Sequence, residues 1–267
     1  MKNVVLFDMD GTITPARQSI EPEVEQALLR LSGVADIGIV TGSGLDYVLQ
    51  QCKTLLKSHY DMSNFSILPC NGTQKYTWNK QGWENGYWEE DFSLDMRKEV
   101  GEETFRRLMF LLLERMYITH LAHKQKIPTT GHFITYRGSL INWCPIGRLA
   151  TDSDRKSFVD YEKKNAVRKK NIEVFERTDL KDIFRFSLGG STSIDIYPIG
   201  WDKTYALTHY VGRDCWFIGD RCTDEYGNDK LLYDKIRETN VDRSFEVKST
   251  SETIEIINNL IGEFSAQ

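Results

Sequence analysis

Residues 4–12 of this 267-residue chain read VVLFDMDGT, and this stretch decides the fold. Residues 4–7 form a short apolar run that stops abruptly at acidic residues and glycine, which is typical of a buried parallel strand ending in a loop. Asp8 and Asp10 would then stand at the carboxyl end of that strand, where open α/β sheets bind their ligands. The stretch therefore predicts a functional site on the edge of a parallel α/β sheet.

Two carboxylates at this spacing can carry out phosphoryl transfer. Asp8 can attack a phosphoryl group and become an aspartyl phosphate, provided that a divalent cation offsets the repulsion between the two anions. Asp10 can protonate the leaving oxygen and later take a proton from the incoming hydroxyl. Gly11 allows a close backbone approach, and Thr12 offers a hydroxyl or an amide to the phosphate. An isolated Asp-x-Asp is usually a solvated turn, but the preceding strand and the following Gly-Thr favour catalysis.

The composition excludes several classes of protein. The chain has 34 basic and 39 acidic residues and a net charge of -5, so neither nucleic acid nor a membrane is expected as a partner. Five cysteines without a Cys-x-x-Cys pair predict reduced thiols in a cytoplasmic protein. No stretch approaches the ~20 apolar residues that span a bilayer.

The opening pattern recurs twice along the chain. Residues 37–40 are apolar and end at Thr41-Gly42-Ser43, before a helix predicted over 45–57, so Thr41 or Ser43 can bind the same phosphate at a helix start. Ser43 can equally be a plain N-cap. Near the end of the chain, residues 215–218 lead into Gly219-Asp220. Parallel strands bring these ends to one edge, where Asp8, Asp220 and the backbone carbonyl of Asp10 can hold Mg²⁺.

The middle of the chain has a different pattern. A hairpin over 133–143, helices over 153–161 and 163–177, and strands over 183–188 and 193–197 are typical of an antiparallel α+β domain. We therefore predict a catalytic core at 1–89 and 199–267, with an inserted α+β cap at 90–198 that provides specificity. A long helix is also expected over 96–116 within the cap. In the returning core, Lys203 begins a helix where its ammonium can neutralise the charge of the phosphoryl group and of Asp8, although most lysines are simply solvated.

Candidate substrate ligands lie in the cap and just after the first loop. Period-two alternation places Ser193 and Asp195 on one face of a strand, where a carboxylate suits sugar hydroxyls. Arginine forks suit a second, non-reacting phosphate, although each arginine taken alone is more often a surface residue. The arginines concerned are Arg17, Arg137, Arg148 and Arg155.

Two resemblances follow from these residues. The opening Asp8-x-Asp10-Gly11-Thr12 resembles the phosphoaspartate motif of the haloacid dehalogenase superfamily. Five further blocks, with the opening motif and Arg17, look like the eukaryotic-type phosphomannomutases. These blocks are 133–137 (FITYR), 145–148 (PIGR), 154–158 (DRKSF), 189–195 (GGSTSID) and 200–203 (GWDK). Thr41-Gly42-Ser43-Gly44 departs from the Gly-Gly-Ser-Asp of that family, and the loop from Asp220 to Asn228 is one residue longer.

The second resemblance implies a haloacid dehalogenase-like fold, with a Rossmann-like parallel-sheet core and an α+β cap that forms a homodimer. It implies interconversion of mannose 6-phosphate and mannose 1-phosphate, with Mg²⁺ and with glucose 1,6-bisphosphate or mannose 1,6-bisphosphate as activator. A cap that closes and excludes water would keep the bisphosphate from hydrolysis. By resemblance the catalytic residues are Asp8 (nucleophile), Asp10 (general acid/base) and Lys203, and the metal ligands are Asp8, Asp10 and Asp220. The implied substrate ligands are Arg17, Thr41, Ser43, Arg137, Arg148, Arg155, Ser193, Asp195 and Asn228.

Two other functions remain open at this point. A sugar-phosphate phosphatase would use the same core residues, with water replacing the sugar hydroxyl at the aspartyl phosphate. A catalytically idle protein would use the pocket only to sense a sugar phosphate, which the intact set Asp8, Asp10, Lys203 and Asp220 disfavours.

Overall fold

The fold is described from a computed structural model covering residues 3–56, 61–80, 86–225 and 227–266. The chain forms two compact units. The core runs up to Ser93 and resumes at Trp201, and the cap runs from Leu94 to Gly200. The boundaries expected at 89/90 and 198/199 lie a few residues before the observed ones. At the first boundary the reason is that the strand that ends at Ser93 still pairs with the core sheet.

The helices and strands of the described residues alternate in the core and are grouped in the cap. In chain order the strands are β1 (Asn3–Phe7), β2 (Ala35–Val40), β3 (Phe65–Leu68), β4 (Gln74–Asn79), β5 (Tyr87–Ser93), β6 (Ile134–Tyr136), β7 (Ile141–Trp143), β8 (Phe184–Gly189), β9 (Ser193–Pro198), β10 (Cys215–Gly219) and β11 (Ser244–Glu246). The α-helices are α1 (Pro22–Leu31), α2 (Leu45–Gln51), α3 (Lys53–Leu56), α4 (Met96–Val100), α5 (Glu102–Ala122), α6 (Asp152–Asn165), α7 (Val167–Phe175), α8 (Lys230–Arg237) and α9 (Thr250–Ser265). Short 3₁₀ segments cover Cys70–Gly72, Asp179–Asp182, Lys203–Tyr210 and Val241–Arg243.

The core is built on a mostly parallel sheet in the order β11-β10-β1-β2-β3-β4-β5, in which β4 and β5 are antiparallel. Residues 4–7 of β1 are fully buried, because the sheet is covered on both faces. Val5 and Phe7 pack into the cluster that α1 and α9 cover, and Val4 and Leu6 pack on the opposite face. The predicted α/β fold class, a Rossmann-like parallel core with an inserted α+β cap, is confirmed.

The strand register brings three loops together. Phe7 pairs with Ile39 of β2 and with Ile218 of β10, in both cases in parallel. The residues that follow these strands therefore leave the sheet at the same edge, and they include Asp8 and Asp220. Sheet topology alone thus places the two carboxylates side by side, although they are far apart in sequence.

The cap is an antiparallel sheet in the order β6-β7-β9-β8, with helices α5 and α7 packed against the face that carries Trp143. Trp143 of β7 stacks edge-on against Phe175 of α7 at 5.9 Å, and its indole nitrogen donates to the Leu112 carbonyl of α5. On the other face Asn142 lies opposite Asp195. The alternation of β7 and β9 therefore separates an apolar, helix-covered face from a polar one.

Several predicted helices differ from those observed. The helix expected over 96–116 is two helices divided at Gly101, and the second continues to Ala122. The helix expected over 45–57 is divided at Cys52, and residue 57 lies outside the described residues. The segment from Lys203 is a 3₁₀ helix capped by the side chain of Asp202. Residues 81–85 of the expected aromatic hairpin also lie outside the described residues.

Two expectations from composition concern the cysteines and membrane-spanning helices of the described residues. All five cysteines are free thiols. None of the described helices combines the length and apolar character needed to cross a membrane.

Candidate active site

Three carboxylates meet at the edge of the core sheet. Asp8 follows β1, Asp220 follows β10, and Asp229 precedes α8. One oxygen from each lies within 4.8 Å of the others. Asp8 and Asp229 are 4 % and 0 % exposed, and Asp220 is half-buried, so water can solvate this charge only slightly.

Lys203 is the buried cation of this cluster. Its side chain is 1 % exposed, and its Nζ donates to Oδ1 of Asp8 and, at 2.5 Å, to Oδ1 of Asp229. Burial would lower the pKa of Lys203, but Asp229 and Asp8 raise it well above its usual value, so the group stays protonated. The predicted electrostatic partnership of Lys203 with Asp8 is thus present in the structure.

The cluster holds more negative than positive charge. Burial, with a further contribution from Asp229, raises the pKa of Asp8 well above its usual value. Burial and Asp229 likewise raise the pKa of Asp220 to about 7. The three carboxylates face one ammonium group, so the positive charge of Lys203 does not compensate all of their negative charge. Carboxylate oxygens are hard donors, and this donor set fits a divalent cation such as Mg²⁺.

Two glycines allow the carboxylates to approach the backbone. A Cβ added at Gly11, which has φ +92°, would lie 2.5 Å from Oδ2 of Asp220. A Cβ at Gly219 would lie 2.8 Å from Oδ2 of Asp229. Any larger residue at either position would therefore displace a carboxylate of the cluster.

Asp10 lies in a different environment from Asp8. Its Oδ1 accepts hydrogen bonds from the backbone N–H of Arg17 at 2.8 Å and from the hydroxyl of Tyr47 at 3.2 Å. The carboxylate of Asp10 is not among the three clustered carboxylates. The expected metal contact of Asp10 was through its backbone carbonyl, and it stays a prediction.

The hydroxyl residues expected to bind phosphate lie at neighbouring strand ends. Thr41 is buried after β2, and its Oγ1 accepts the N–H of Ser43 at 3.1 Å. The hydroxyl of Thr12 is buried and has no hydrogen-bond partner among the described residues. In its bond with Ser43 the hydroxyl oxygen of Thr41 is the acceptor, so the hydroxyl proton of Thr41 is available to a phosphate. Thr41 and Ser43 both stay candidates. Asn228 is half-buried beside Asp229.

The polar face of the cap joins two predicted sugar ligands through a third residue. Nδ2 of Asn142 donates to Oγ of Ser193 at 2.8 Å and to Oδ1 of Asp195 at 2.6 Å. Ser193 also donates to the carbonyl of Gly189 at 2.8 Å. Oδ1 of Asn142 is buried and has no hydrogen-bond partner among the described residues. Asn142 therefore fixes the spacing of Ser193 and Asp195.

The predicted arginines occupy different surroundings. Arg155 is buried and donates to the carbonyls of Ala150 (3.2 Å) and Arg148 (3.1 Å) and to Oγ1 of Thr192 (2.8 Å). Arg148 and Arg137 are half-buried, and the backbone N–H of Arg137 donates to Leu140 in the first cap hairpin. Arg155 thus braces the segment that carries Arg148. Arg17, in the core, is exposed with φ 62°. Phosphate binding by these arginines stays a prediction.

Three residues of these sites have no role predicted from the sequence. Asp229 ends the Gly227-Asn228-Asp229 segment, and this carboxylate close after Asp220 could have indicated a further member of the acidic cluster. Asn142 lies in the hairpin strand that pairs with the strand of Ser193 and Asp195, a pairing that β7 and β9 reveal only in the folded sheet. Tyr47 reaches Asp10 from α2, and nothing local in the sequence indicates that contact.

Solved structures that are similar to this chain include a nucleotidase and a phosphatase. The structure of an N-terminally truncated, IMP-bound Plasmodium falciparum IMP-nucleotidase is similar with a TM-score of 0.62 and 15 % identity, covering 98 % of this chain and 68 % of that one. A trehalose-6-phosphate phosphatase of Aspergillus fumigatus is similar with a TM-score of 0.52 and 13 % identity, covering 98 % and 93 %. At these identities the likeness concerns the fold alone.

Sequence comparisons are more specific. A profile of the eukaryotic phosphomannomutase family matches residues 24–263. The phosphomannomutase of Saccharomyces cerevisiae is 32 % identical over 262 residues, which cover 97 % of this chain and 94 % of that protein. The phosphomannomutase of Schizosaccharomyces pombe is 35 % identical over 239 residues, covering 87 % and 85 %. The chain therefore belongs to the eukaryotic phosphomannomutase family.

Proposed function

We propose that this protein is a phosphomannomutase that interconverts mannose 6-phosphate and mannose 1-phosphate through an aspartyl phosphate on Asp8. The observation that carries the proposal is the buried cluster of Asp8, Asp220, Asp229 and Lys203 in a chain whose residues 24–263 match this family. The polar cap face with Asn142, Ser193 and Asp195 supports a sugar as substrate.

The proposed chemistry assigns different tasks to two nearby carboxylates. An oxygen of Asp8 attacks phosphorus of a hexose 1,6-bisphosphate, and the bond from phosphorus to the sugar oxygen breaks. Asp10 gives that oxygen a proton. In the return step a sugar hydroxyl attacks the aspartyl phosphate, and Asp10 takes the proton of that hydroxyl. The hydrogen bonds from Arg17 and Tyr47 orient Asp10 for this exchange.

We propose Mg²⁺ as the metal and glucose 1,6-bisphosphate or mannose 1,6-bisphosphate as the activator. Asp8 and Asp220, with the backbone carbonyl of Asp10, would hold the cation, and the clustered Asp229 is a further candidate. When bound, Mg²⁺ offsets the negative charge of the phosphoryl group and of the carboxylates. Lys203 holds Asp8 in position and supplies a fixed positive charge to the cluster. Thr41, Ser43 and Asn228 are proposed ligands of the transferred phosphoryl group.

A product assay tests the proposal. Purified protein is incubated with mannose 1-phosphate, Mg²⁺ and catalytic glucose 1,6-bisphosphate, and the products are followed by ³¹P NMR. Mannose 6-phosphate is expected, with little free phosphate. Free phosphate as the sole product would instead indicate a phosphatase. Glucose 1-phosphate in a parallel reaction measures the preference between the two sugars.

We also propose that the protein is a homodimer through the cap. Helix α5 buries one apolar face, yet its opposite face exposes four large apolar side chains. Their exposed fractions are 60 % for Phe110, 54 % for Leu113, 69 % for Tyr117 and 47 % for Leu121. A helix that is apolar on both faces needs a second partner, and a copy of the same chain meets that need.

Light scattering after size-exclusion chromatography tests the dimer. The double variant Leu113→Glu/Tyr117→Glu is expected to elute as a monomer, because it places charges within the apolar stripe. Lys164→Glu, at an exposed position in the last turn of α6, serves as the control and should remain dimeric. A wild-type monomer at micromolar concentration would contradict the proposal.

The proposed location is the cytoplasm. Its support is that Cys52, Cys70, Cys144, Cys215 and Cys222 are all free thiols, as expected in a reducing compartment. Fractionation of cells that express a tagged protein tests this location.

A further inference from the structure

The loop that follows β10 is attached to the end of β11 by the carboxylate of Glu246. Oε1 of Glu246 accepts hydrogen bonds from the backbone N–H of Cys222 at 2.9 Å and of Thr223 at 2.8 Å. Oε2 accepts the hydroxyl of Thr223 at 2.6 Å. Charged acceptors form the stronger class of hydrogen bond, and here one carboxylate receives three donors from two adjacent residues.

Neighbouring contacts hold the same loop on both sides of Asp220. Before it, the carbonyl of Gly219 accepts the N–H of Val247 at 2.9 Å. After it, the N–H of Arg221 donates to Oδ2 of Asp229 at 3.1 Å. Glu246 completes this set, because it fixes the two residues that follow Arg221. The backbone on both sides of Asp220 is thus fixed by hydrogen bonds, which restricts the position of its carboxylate.

The electrostatics of the cluster explain why this anchoring matters. Oxygens of Asp220, Asp8 and Asp229 lie within 4.8 Å of one another, and like charges this close repel, so an outward movement of the loop into water would lower that repulsion. The hydrogen bonds of Glu246 oppose that movement. Glu246 is not among the three clustered carboxylates, and its own oxygens are already engaged by the loop.

We propose that Glu246 is a positioning residue that keeps Asp220 beside Asp8 and Asp229 and thereby strengthens divalent-cation binding at this cluster. The inference rests on the proposed function in one respect, since it takes the cluster to be the Mg²⁺ site of the reaction. Outer partners of metal ligands typically contribute about 10- to 100-fold to metal affinity.

Calorimetric titration of the metal-free full-length protein with MgCl₂ tests the inference without substrate. Glu246→Ala is expected to weaken Mg²⁺ binding by about 10-fold, because three donors of the loop lose their acceptor. Glu246→Gln keeps a carbonyl oxygen for the two backbone N–H groups, so its loss should be smaller than about threefold. Glu238→Ala removes a glutamate from an exposed ion pair with Lys235 and should bind Mg²⁺ like the wild type.

Kinetics provide a second readout. The Mg²⁺ concentration for half-maximal turnover should rise in Glu246→Ala, whereas KM for the sugar phosphate at saturating Mg²⁺ should stay unchanged. A merely structural role would lower the fraction of active protein and leave both constants unaltered. Unchanged Mg²⁺ affinity in a folded Glu246→Ala protein overturns the inference.

A milder variant covers the case in which Glu246→Ala does not fold. Thr223→Val removes only the hydroxyl bond to Oε2, and its Mg²⁺ affinity should fall by about two- to threefold. An unaltered affinity in Thr223→Val would then overturn the inference. Failure of the proposed function would look different, because free phosphate as the sole product leaves these calorimetric results intact.

Discussion

The buried charged side chains of the cap have fixed hydrogen-bond or ion-pair partners, whereas the core gathers an excess of carboxylates. In the cap, the guanidinium of Arg155 is surrounded by carbonyl and hydroxyl oxygens, and Arg168 pairs with Glu162 at 3.1 Å. In the core, the carboxylates of Asp8, Asp220 and Asp229 face the single ammonium of Lys203. The cap therefore uses its buried charges to brace its own loops. The core keeps a deficit of positive charge that a cation can fill.

Loss of one carboxylate should have its largest effect in the core, where the buried charge is least compensated. Asp8→Asn keeps the size of the side chain but removes the nucleophile, so turnover should fall by at least about 10³-fold in an initial-rate assay. Asp36→Asn is a suitable control. Asp36 does not belong to the cluster, and its carboxylate forms an ion pair with Arg213 at 2.7 Å. Turnover of Asp8→Asn within tenfold of wild type would exclude the proposed nucleophile.

Removing a buried cation should affect the two regions unequally. Lys203→Gln leaves Asp8 and Asp229 without their shared partner, and the free energy of unfolding of metal-free protein should drop by about 3 kcal/mol. Arg155→Gln removes hydrogen bonds to two backbone carbonyls and one hydroxyl, so its loss should be nearer about 1–2 kcal/mol. Urea unfolding of both variants measures the difference. An equal or larger loss for Arg155→Gln would contradict the distinction between the regions.

A change on the polar cap face should alter substrate binding and leave metal binding intact. Asn142→Ala removes the group that joins Ser193 to Asp195, and KM for mannose 1-phosphate should rise by about tenfold, or about 1.4 kcal/mol. The Mg²⁺ dependence should not change. Asn258→Ala, which removes an exposed amide on α9, is the control. If Asn142→Ala shifted the Mg²⁺ dependence instead, the division of tasks would be wrong.

The last prediction concerns the pH dependence of stability without metal. The pKa of Asp220 is raised to about 7 in the folded protein, against about 4 in the unfolded chain. Between these values the folded state binds more protons than the unfolded state, so stability should fall as pH rises from about 4 to about 7. Asp8 acts in the same direction.

Thermal unfolding of metal-free protein across this pH range measures that slope. Saturating Mg²⁺ should remove or reverse it, because a bound cation favours the ionised carboxylates. Asp220→Asn should flatten the slope in metal-free buffer. A stability that rises with pH in the metal-free wild type would contradict the unbalanced cluster.

Much of the fold could be predicted because it depends on local patterns. Val24, Ala27, Leu28 and Leu31 recur at helical spacing and are the buried residues of α1. Residues 4–7 form a continuous apolar run, which is typical of a strand in a sheet covered on both faces. Helix interruptions were harder to predict from the sequence. The division at Gly101 depends on a backbone conformation with φ 77°, which apolar periodicity does not reveal.

The residues of the candidate site likewise fall into those that the sequence could predict and those that it could not. Asp8 and Asp220 could be identified because each directly follows an apolar strand, and parallel strands deliver their ends to one edge. Asp229 and Asn142 could not be assigned roles in the same way. Their contacts depend on how a loop folds back and on which strands pair across the cap sheet.

The amino-acid sequence alone was sufficient for the phosphoryl chemistry, the α/β core and the family, because strand ends, glycine turns and motif blocks are short-range features. Only the tertiary structure decided which charges stay unbalanced. Lys203 is shared between Asp8 and Asp229, Glu246 is engaged with the loop after β10, and the guanidinium of Arg155 lies within the cap. Such assignments depend on distances and burial between residues remote in sequence, and electrostatic energies follow those two quantities.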